Sequence, residues 1–346
     1  MGKRFFVAPD PSVLTSGILT SAPKGRSFMA LTIAEYADYL QGRDDLSWPA
    51  PPDVISAKAK PGLVRLPDVR VVVWNVYGTL LRISGGQLYL EHPQKLMMEV
   101  ALDKTLQEFK MWGSMSRKPG QPAEYLGQLY TKALDEQRTA PSPGEKHPEF
   151  LSEVVWESIV RKLLQKDYQF DVSFYGSLNE LSRKIAYFFH ASLQGTACYG
   201  TAFQTLQALN HLGLKQGLLG NGQIFTPVQL ERGLQEQNED ANLEELFDPN
   251  LIVLSHQLRG KKPSERIFRE FFERVETEGI TPEQILHVGN TIEEDLIPAK
   301  RLGWRTALFA GDKGSLQATP EQLKQNASKP DLLVTELLQL RKVFPR

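Results

Sequence analysis

Val71-Val72-Val73-Trp74-Asn75-Val76-Tyr77-Gly78-Thr79-Leu80-Leu81 is the stretch whose reading decides the fold. Three β-branched residues and an aromatic predict a strand buried on both faces, and Gly78 ends it in a turn with little room for a side chain. Asn75 puts a polar group at the mouth of that strand. In open α/β sheets ligands bind at the carboxyl ends of the strands, so the chemistry is expected here.

Downstream, residues 87–197 carry helical patterns and no strong β-branched run. Apolar periodicity predicts helices over Pro93–Trp112, Ala123–Gln137, Pro148–Gln165 and Leu178–Ser192, with the Thr139–Gly144 stretch as a break. From Thr201 the rhythm changes. Helices are expected over Thr201–Leu212, Pro227–Gln237, Pro263–Val275 and Glu294–Leu302, alternating with strands at Gly217–Leu219, Leu251–Leu254, Ile285–Val288 and Arg305–Phe309. Asp331–Val334 and Glu336–Val343 predict a last strand and a closing helix. The alternation implies a parallel sheet with helices on both faces, to which Val71–Trp74 belongs. The helical block is then an insertion into an α/β core.

Upstream, residues 1–68 are a proline-interrupted N-terminal extension with one short helix. Thr32 and Glu35 form a capping box, Ile33, Tyr36, Ala37 and Leu40 repeat with helical spacing, and Gly42 stops the helix. Its apolar face is expected to dock on the protein's own core, the other reading being a partner-binding helix. Trp48-Pro49-Ala50-Pro51-Pro52 predicts an extended linker.

The 346 residues suffice for two compact domains and an extension. Forty basic and forty-one acidic side chains leave a formal charge of −1, which gives no global electrostatic case for nucleic acid or an anionic membrane. The single cysteine, Cys198, excludes an intramolecular disulfide and a multi-cysteine zinc site. No stretch approaches the roughly 18 apolar residues of a membrane span. The run Phe5–Ala8 is too short for a signal-peptide core, so a cytoplasmic location is expected.

Trp74-Asn75-Val76-Tyr77-Gly78-Thr79-Leu80 resembles the first motif of the haloacid dehalogenase-like (HAD) hydrolase superfamily. Gly217-Leu218-Leu219-Gly220-Asn221-Gly222, Lys262-Pro263-Ser264-Glu265-Arg266-Ile267-Phe268 and Val288-Gly289-Asn290-Thr291-Ile292-Glu293-Glu294-Asp295 resemble the second, third and fourth motifs, in the family's order. The resemblance covers about residues 69–343. It implies a Rossmann-like α/β core at 69–86 and 198–346 and a helical cap at 87–197.

It also implies what each position would do. The family's phosphatases attack phosphorus with an Asp and form an aspartyl-phosphate. The matching residue is Asn75, whose amide oxygen carries no formal charge. Tyr77 stands where most family phosphatases have a general acid-base Asp, and Tyr-Gly-Thr is typical of the dehalogenase-like branch. Gly220 replaces the usual hydroxyl donor of the second motif, and Asn221 is expected to bind an anionic ligand. Lys262 matches the family's lysine, which neutralises charge on nucleophile and phosphoryl group. Asn290 replaces an Mg²⁺-ligating Asp, whereas Asp295 is kept.

Mg²⁺ prefers hard, usually carboxylate, oxygens, and both expected carboxylates are amides here. Removing two negative charges and one divalent cation leaves the local charge unchanged, and Lys262 and Asp295 are then free to pair directly. The expectation is a degenerate HAD-like protein, without cofactor, that acts as a binding or regulatory module for a small anionic ligand or a protein. The alternative is an active phosphatase or cofactor-independent dehalogenase, using Mg²⁺ in the former case. Both need an Asp at position 75, and Val76 hinders deamidation of Asn75. Among the remaining candidates, Glu293 and Glu294 are expected to cap a helix, Thr79 either orients a ligand or satisfies its turn, and His287 and Cys198 are expected to be packing residues.

Overall fold

The computed structural model describes residues 30–115, 121–139 and 144–344. The readings of Phe5–Ala8, of the prolines before residue 30, and of residues 140–143 within the expected break lie outside the described residues.

Strand β1, Val71–Trp74, is buried along its whole length, and successive side chains point to opposite faces of the sheet. Val72 and Trp74 pack in one apolar layer, Val71 and Val73 in the other. Around it lie β4 (Lys215–Gly220), β5 (Ile252–Leu254), β6 (Ile285–Gly289), β7 (Arg305–Phe309) and β8 (Leu332–Val334), in the order β5-β4-β1-β6-β7-β8. All neighbouring pairs are parallel. The chain fills one side of β1 with β4 and β5, then returns to fill the other side from β6 onward. That reversal makes the carboxyl ends of β1, β4 and β6 the crevice where an open α/β sheet binds ligands.

Helices cover both faces, as such a sheet requires. Helix 265–276 places Ile267, Phe268, Phe271 and Val275 under Val71, Val73 and Leu219. Helices 202–211 and 226–235, with the closing 3₁₀ turns 337–342, cover the other face. The helix expected from Pro263 begins at Glu265, because Lys262 and Pro263 are taken up in the loop that builds the site. The segment expected as one helix from Glu294 is instead a π-turn at Ile292–Leu296 leading into helix Ile297–Arg301.

Two short strands, β2 (Leu81–Arg82) and β3 (Ala197–Cys198), pair antiparallel. Between them lie the helices Lys95–Glu108, Pro122–Thr139, Ser152–Leu164 and Leu178–Leu193, with a single turn at Val172–Tyr175. Their apolar faces form a separate cluster around Tyr130, Trp156, Phe188 and Phe189. The aromatic residues of this cap mostly pack its own helices together. Trp112, in contrast, is 59% exposed.

Helix Ile33–Gln41 carries the capping box expected from Thr32 and Glu35. It docks on the cap, not on the sheet: Tyr36, Ala37 and Leu40 are buried in the cap's cluster. Burial of Tyr36 and Leu40 contributes about 1.5–3 kcal/mol each. The Tyr36 hydroxyl is buried and has no hydrogen-bond partner among the described residues. An unpartnered buried hydroxyl opposes folding, whereas its ring supports it. Tyr36→Phe is therefore expected to keep or raise stability, while Tyr36→Ala lowers it by about 3–5 kcal/mol in urea denaturation.

Candidate functional site

The chain leaves β1 through a tight turn that brings the fourth motif against the first. The Asn75 amide still donates to Val288 O at 2.9 Å, and then Leu80 and Leu81 both donate back to Val76 O at 2.9 Å. Gly78 sits at φ +80°, and a Cβ there would lie 2.4 Å from the Asn290 side chain. Only glycine allows this approach. The turn delivers Asn75, and the end of β6 delivers Asn290, into contact.

Lys262 is the centre of the cluster. Its Nζ donates to Asn75 Oδ1 at 2.8 Å and forms an ion pair with Asp295 Oδ1. Asn75 Nδ2 donates to Asn290 Oδ1 and to Tyr77 O, both at 2.8 Å. Asn290 in turn donates from Nδ2 to Ser315 O at 2.7 Å and accepts from Thr79 Oγ1 at 3.1 Å. The second Asp295 oxygen accepts from Asn290 N, Thr291 N and Thr291 Oγ1 at 2.9–3.1 Å. His287 Nε2 lies 3.4 Å from Asp295 Oδ1. Gly289 makes room for this carboxylate, since a Cβ there would come within 2.4 Å of it.

Burial alone would raise the Asp295 carboxyl, but Lys262, followed by His287, outweighs it and holds the group below the usual carboxylate range. Burial lowers the His287 pKa, against the opposing pull of Asp295. The pair is a satisfied buried ion pair, not a vacant cradle.

Of the second-motif residues, Gly220 faces Asn75, and a Cβ at that position would sit 3.2 Å from Asn75 Oδ1. Asn221 does not offer a free amide to an anion. Its Oδ1 accepts from the Lys262 backbone at 2.7 Å, and its Nδ2 donates to Glu294 Oε2 at 3.0 Å. Glu293 and Glu294 lie in the first turn of the helical segment 292–296, as expected, while Glu294 also accepts from Asn221 and Glu293 accepts from Gln322. Tyr77 is buried and points toward the core helix 226–235, bonding Gln229 and Thr226. Thr79 belongs to the Asn290 network. Cys198 is buried, which raises its thiol pKa and leaves it unreactive.

A magnesium ion does not fit this donor set. The amide oxygens of Asn75 and Asn290 are already engaged by Lys262, Asn75 and Thr79, and both oxygens of Asp295 are committed. No group of three or more His, Cys, Asp or Glu residues able to hold a metal occurs among the described residues.

Above Asn75 and Lys262 a cleft of 290 Å³ opens between core and cap, and its walls include several residues that the motifs did not point to. Glu91, Arg138 and Glu149 come from the cap side, Lys261 and Glu294 from the core. Glu149 accepts from Ser255 Oγ, from Gln223 Nε2 and from the Phe150 amide. Burial, partly offset by Ser255 and Lys261, pushes its carboxyl up to about 7. The helix expected from Pro148, with Glu149 inside it, starts instead at Ser152 and leaves Glu149 in the preceding loop, and no motif points to it.

Residues 260–340 match the model of a family described as HAD-hydrolase-like. The haloacid dehalogenase-like hydrolase domain-containing protein 3 of Danio rerio is 24% identical over 268 residues, covering 76% of this chain and 95% of that protein. In sequence the chain is similar to haloacid dehalogenase-like proteins. The rhythmically expressed gene 2 protein of Drosophila melanogaster is 28% identical over 103 residues, a match that spans 25% of this chain and 40% of the relative. Among solved structures, the 2-haloacid dehalogenase of Pseudomonas syringae pv. Tomato DC3000 superposes with a TM-score of 0.48 at 18% identity, covering 80% and 97% of the two chains. The HAD-like core thus holds an Asn–Lys–Asp–Asn cluster where the four motifs meet. No helix among the described residues is long and apolar enough to cross a membrane.

The buried pair predicts a sharp asymmetry. Asp295→Asn leaves the Lys262 cation without its counter-charge and is expected to cost about 3–5 kcal/mol in urea denaturation, whereas Lys262→Met/Asp295→Leu costs less than the two single changes summed. Because the folded pKa lies below the unfolded value near 3.8, the contribution of Asp295 is complete above that pH and is lost as pH falls.

Glu149 has the opposite sign. Its folded pKa near 7 exceeds the unfolded value of 4.5, so the folded state binds more protons and stability declines as pH rises through that window. Glu149→Gln is expected to remove that slope from urea midpoints measured between about pH 5 and pH 8.

Proposed function

We propose that this HAD-like chain is catalytically silent and acts as a binding module. The observation that carries the reading is the state of Asn75. Its oxygen accepts from Lys262 and its nitrogen donates to Asn290 and Tyr77 O, so both ends of the amide are spent within the protein. A nucleophile for acyl-phosphate formation must be anionic and must present a lone pair to the substrate. An amide is uncharged, and its oxygen here is held by Lys262.

The cleft supports a small polar occupant more than a strongly anionic one. Lys262 is neutralised by Asp295, and Arg138 is paired with Glu91. Lys261 remains to meet an anion, and the field of its ammonium already acts on both Glu149 and Glu294. A phosphate dianion would meet carboxylates as well as this single ammonium.

Purified protein is expected to show no turnover on a panel of phosphate esters and haloacids, with or without Mg²⁺, while peptide mass confirms an amide at position 75. Turnover abolished by Asn75→Ala would overturn the reading in favour of an active hydrolase. In the same preparation Mg²⁺ is expected to leave the native melting temperature unchanged and to raise that of Asn75→Asp/Asn290→Asp by roughly 3–8 °C. Equal shifts in both proteins would refute the account of the amides as a substitute for metal.

A further inference from the structure

Residues 30–66 run from the cap, across its hinge, to the far edge of the sheet. The segment starts on the cap, where Leu31 N donates to Phe174 O at 3.3 Å and Tyr36 and Leu40 are buried. Arg43 clasps both oxygens of Glu108 on cap helix 95–108 at 2.7 and 2.8 Å. The same helix also reaches the core, since Asp38 pairs with Arg232 of core helix 226–235 at 2.7 Å. One short helix is thereby fastened to both bodies.

The chain then crosses the two strands that join cap to core. The backbone of Pro49 and Ala50 lies so close to Gly195 that a Cβ there would be 2.2 Å from Pro49 O and 2.6 Å from Ala50 O. Arg82, on β2, donates to Pro52 O at 2.8 Å. Both connections of the cap are therefore in contact with the crossing segment. Beyond the hinge, Ile55 N donates to Asp312 Oδ1 at 3.1 Å and Lys313 N donates to Ile55 O at 2.6 Å. Gly62 and Leu333 exchange two hydrogen bonds of 2.9 Å on the free edge of β8, and Leu66 N donates to Val343 O at 3.0 Å.

A second fastening joins cap and core beside the cleft. Lys261 N donates to His147 O at 2.8 Å, and Glu149 N donates to Arg259 O at 3.1 Å, so Pro148 and Gly260 form an antiparallel bridge. Ser264 adds a bond to Glu145 at 2.9 Å.

Cap motion in a two-linker arrangement needs a few residues near the linkers to change φ and ψ. Here those residues are covered. We propose that residues 30–66 are a strap that holds the cap in one orientation over the core and so sets the width of the cleft. Rotation of the cap must break the Arg82–Pro52 bond and drive Gly195 into the strap backbone. Release of the strap frees the hinge and shifts the restraint to the contacts beside the cleft, the Pro148–Gly260 bridge among them. This goes beyond the binding reading, because it holds whether or not the cleft turns over a substrate.

Hydrogen exchange on the full chain tests it. Gly195→Val forces a side chain into the strap, and Asp38→Ala/Arg82→Ala loosens it without adding bulk. In both variants the Glu149 and Lys261 amides are expected to exchange at least about tenfold faster than in the native protein, while the Asn75 amide in the sheet keeps its native rate. Native rates at Glu149 and Lys261 in both variants would overturn the proposal. Should Gly195→Val also lose protection at Asn75, its fold is damaged, and the double variant alone decides.

Discussion

A buried ammonium constrains this structure more than any other single group. Lys262 is 2% exposed, and a cation removed from water is tolerated only where partners replace its hydration. Asp295 provides the counter-charge and Asn75 provides an acceptor. Each partner then needs its own support. The loop after β6 curls so that Asn290 N, Thr291 N and Thr291 Oγ1 all point at Asp295. The π-turn at 292–296 is the backbone form of that curl, which is why a regular helix does not start where the acidic residues alone would place one.

The exchange of carboxylates for amides makes physical sense in this geometry. Asn75 and Asn290 lie with Nδ2 and Oδ1 2.8 Å apart. Two carboxylates in the same places would face each other as acceptors and would need a cation between them. An amide carries a donor and an acceptor on one planar group, so Asn75 turns its oxygen to Lys262 and its nitrogen to Asn290. The contact that a metal would bridge becomes a direct hydrogen bond. Thr79 and Ser315 O complete the surroundings of Asn290, whose oxygen accepts twice and whose nitrogen donates to Ser315 O.

The parts legible in the sequence were those governed by local pattern. Val71–Trp74 reads as a buried strand because every side chain enters an apolar layer, and the alternation after Thr201 reads as a parallel sheet for the same reason. The four motif segments were legible through their residue types and order. What was not legible depends on long-range closure. Glu149 joins the site only because the Pro148 loop pairs with Gly260, more than a hundred residues later. Asn221 looked like a ligand for an anion, but tertiary contacts direct its amide to the Lys262 backbone and Glu294. The Trp48–Pro52 stretch has linker composition, yet its carbonyls are docked against Gly195 and Arg82, which composition does not encode.

These features bear on one another. An enzyme that closes over its substrate must open again to release product, and a restraint on its cap slows that cycle. A binding module gains from the same restraint, because a cleft already held in its bound shape loses less conformational entropy when a ligand enters. On the proposed reading the cap has no catalytic cycle to serve, and the segment lying across the hinge opposes its movement. The hydrogen bonds that hold Asn75 and the contacts that cover the cap's two connections thus act in the same direction, since both restrict rearrangement around one cleft.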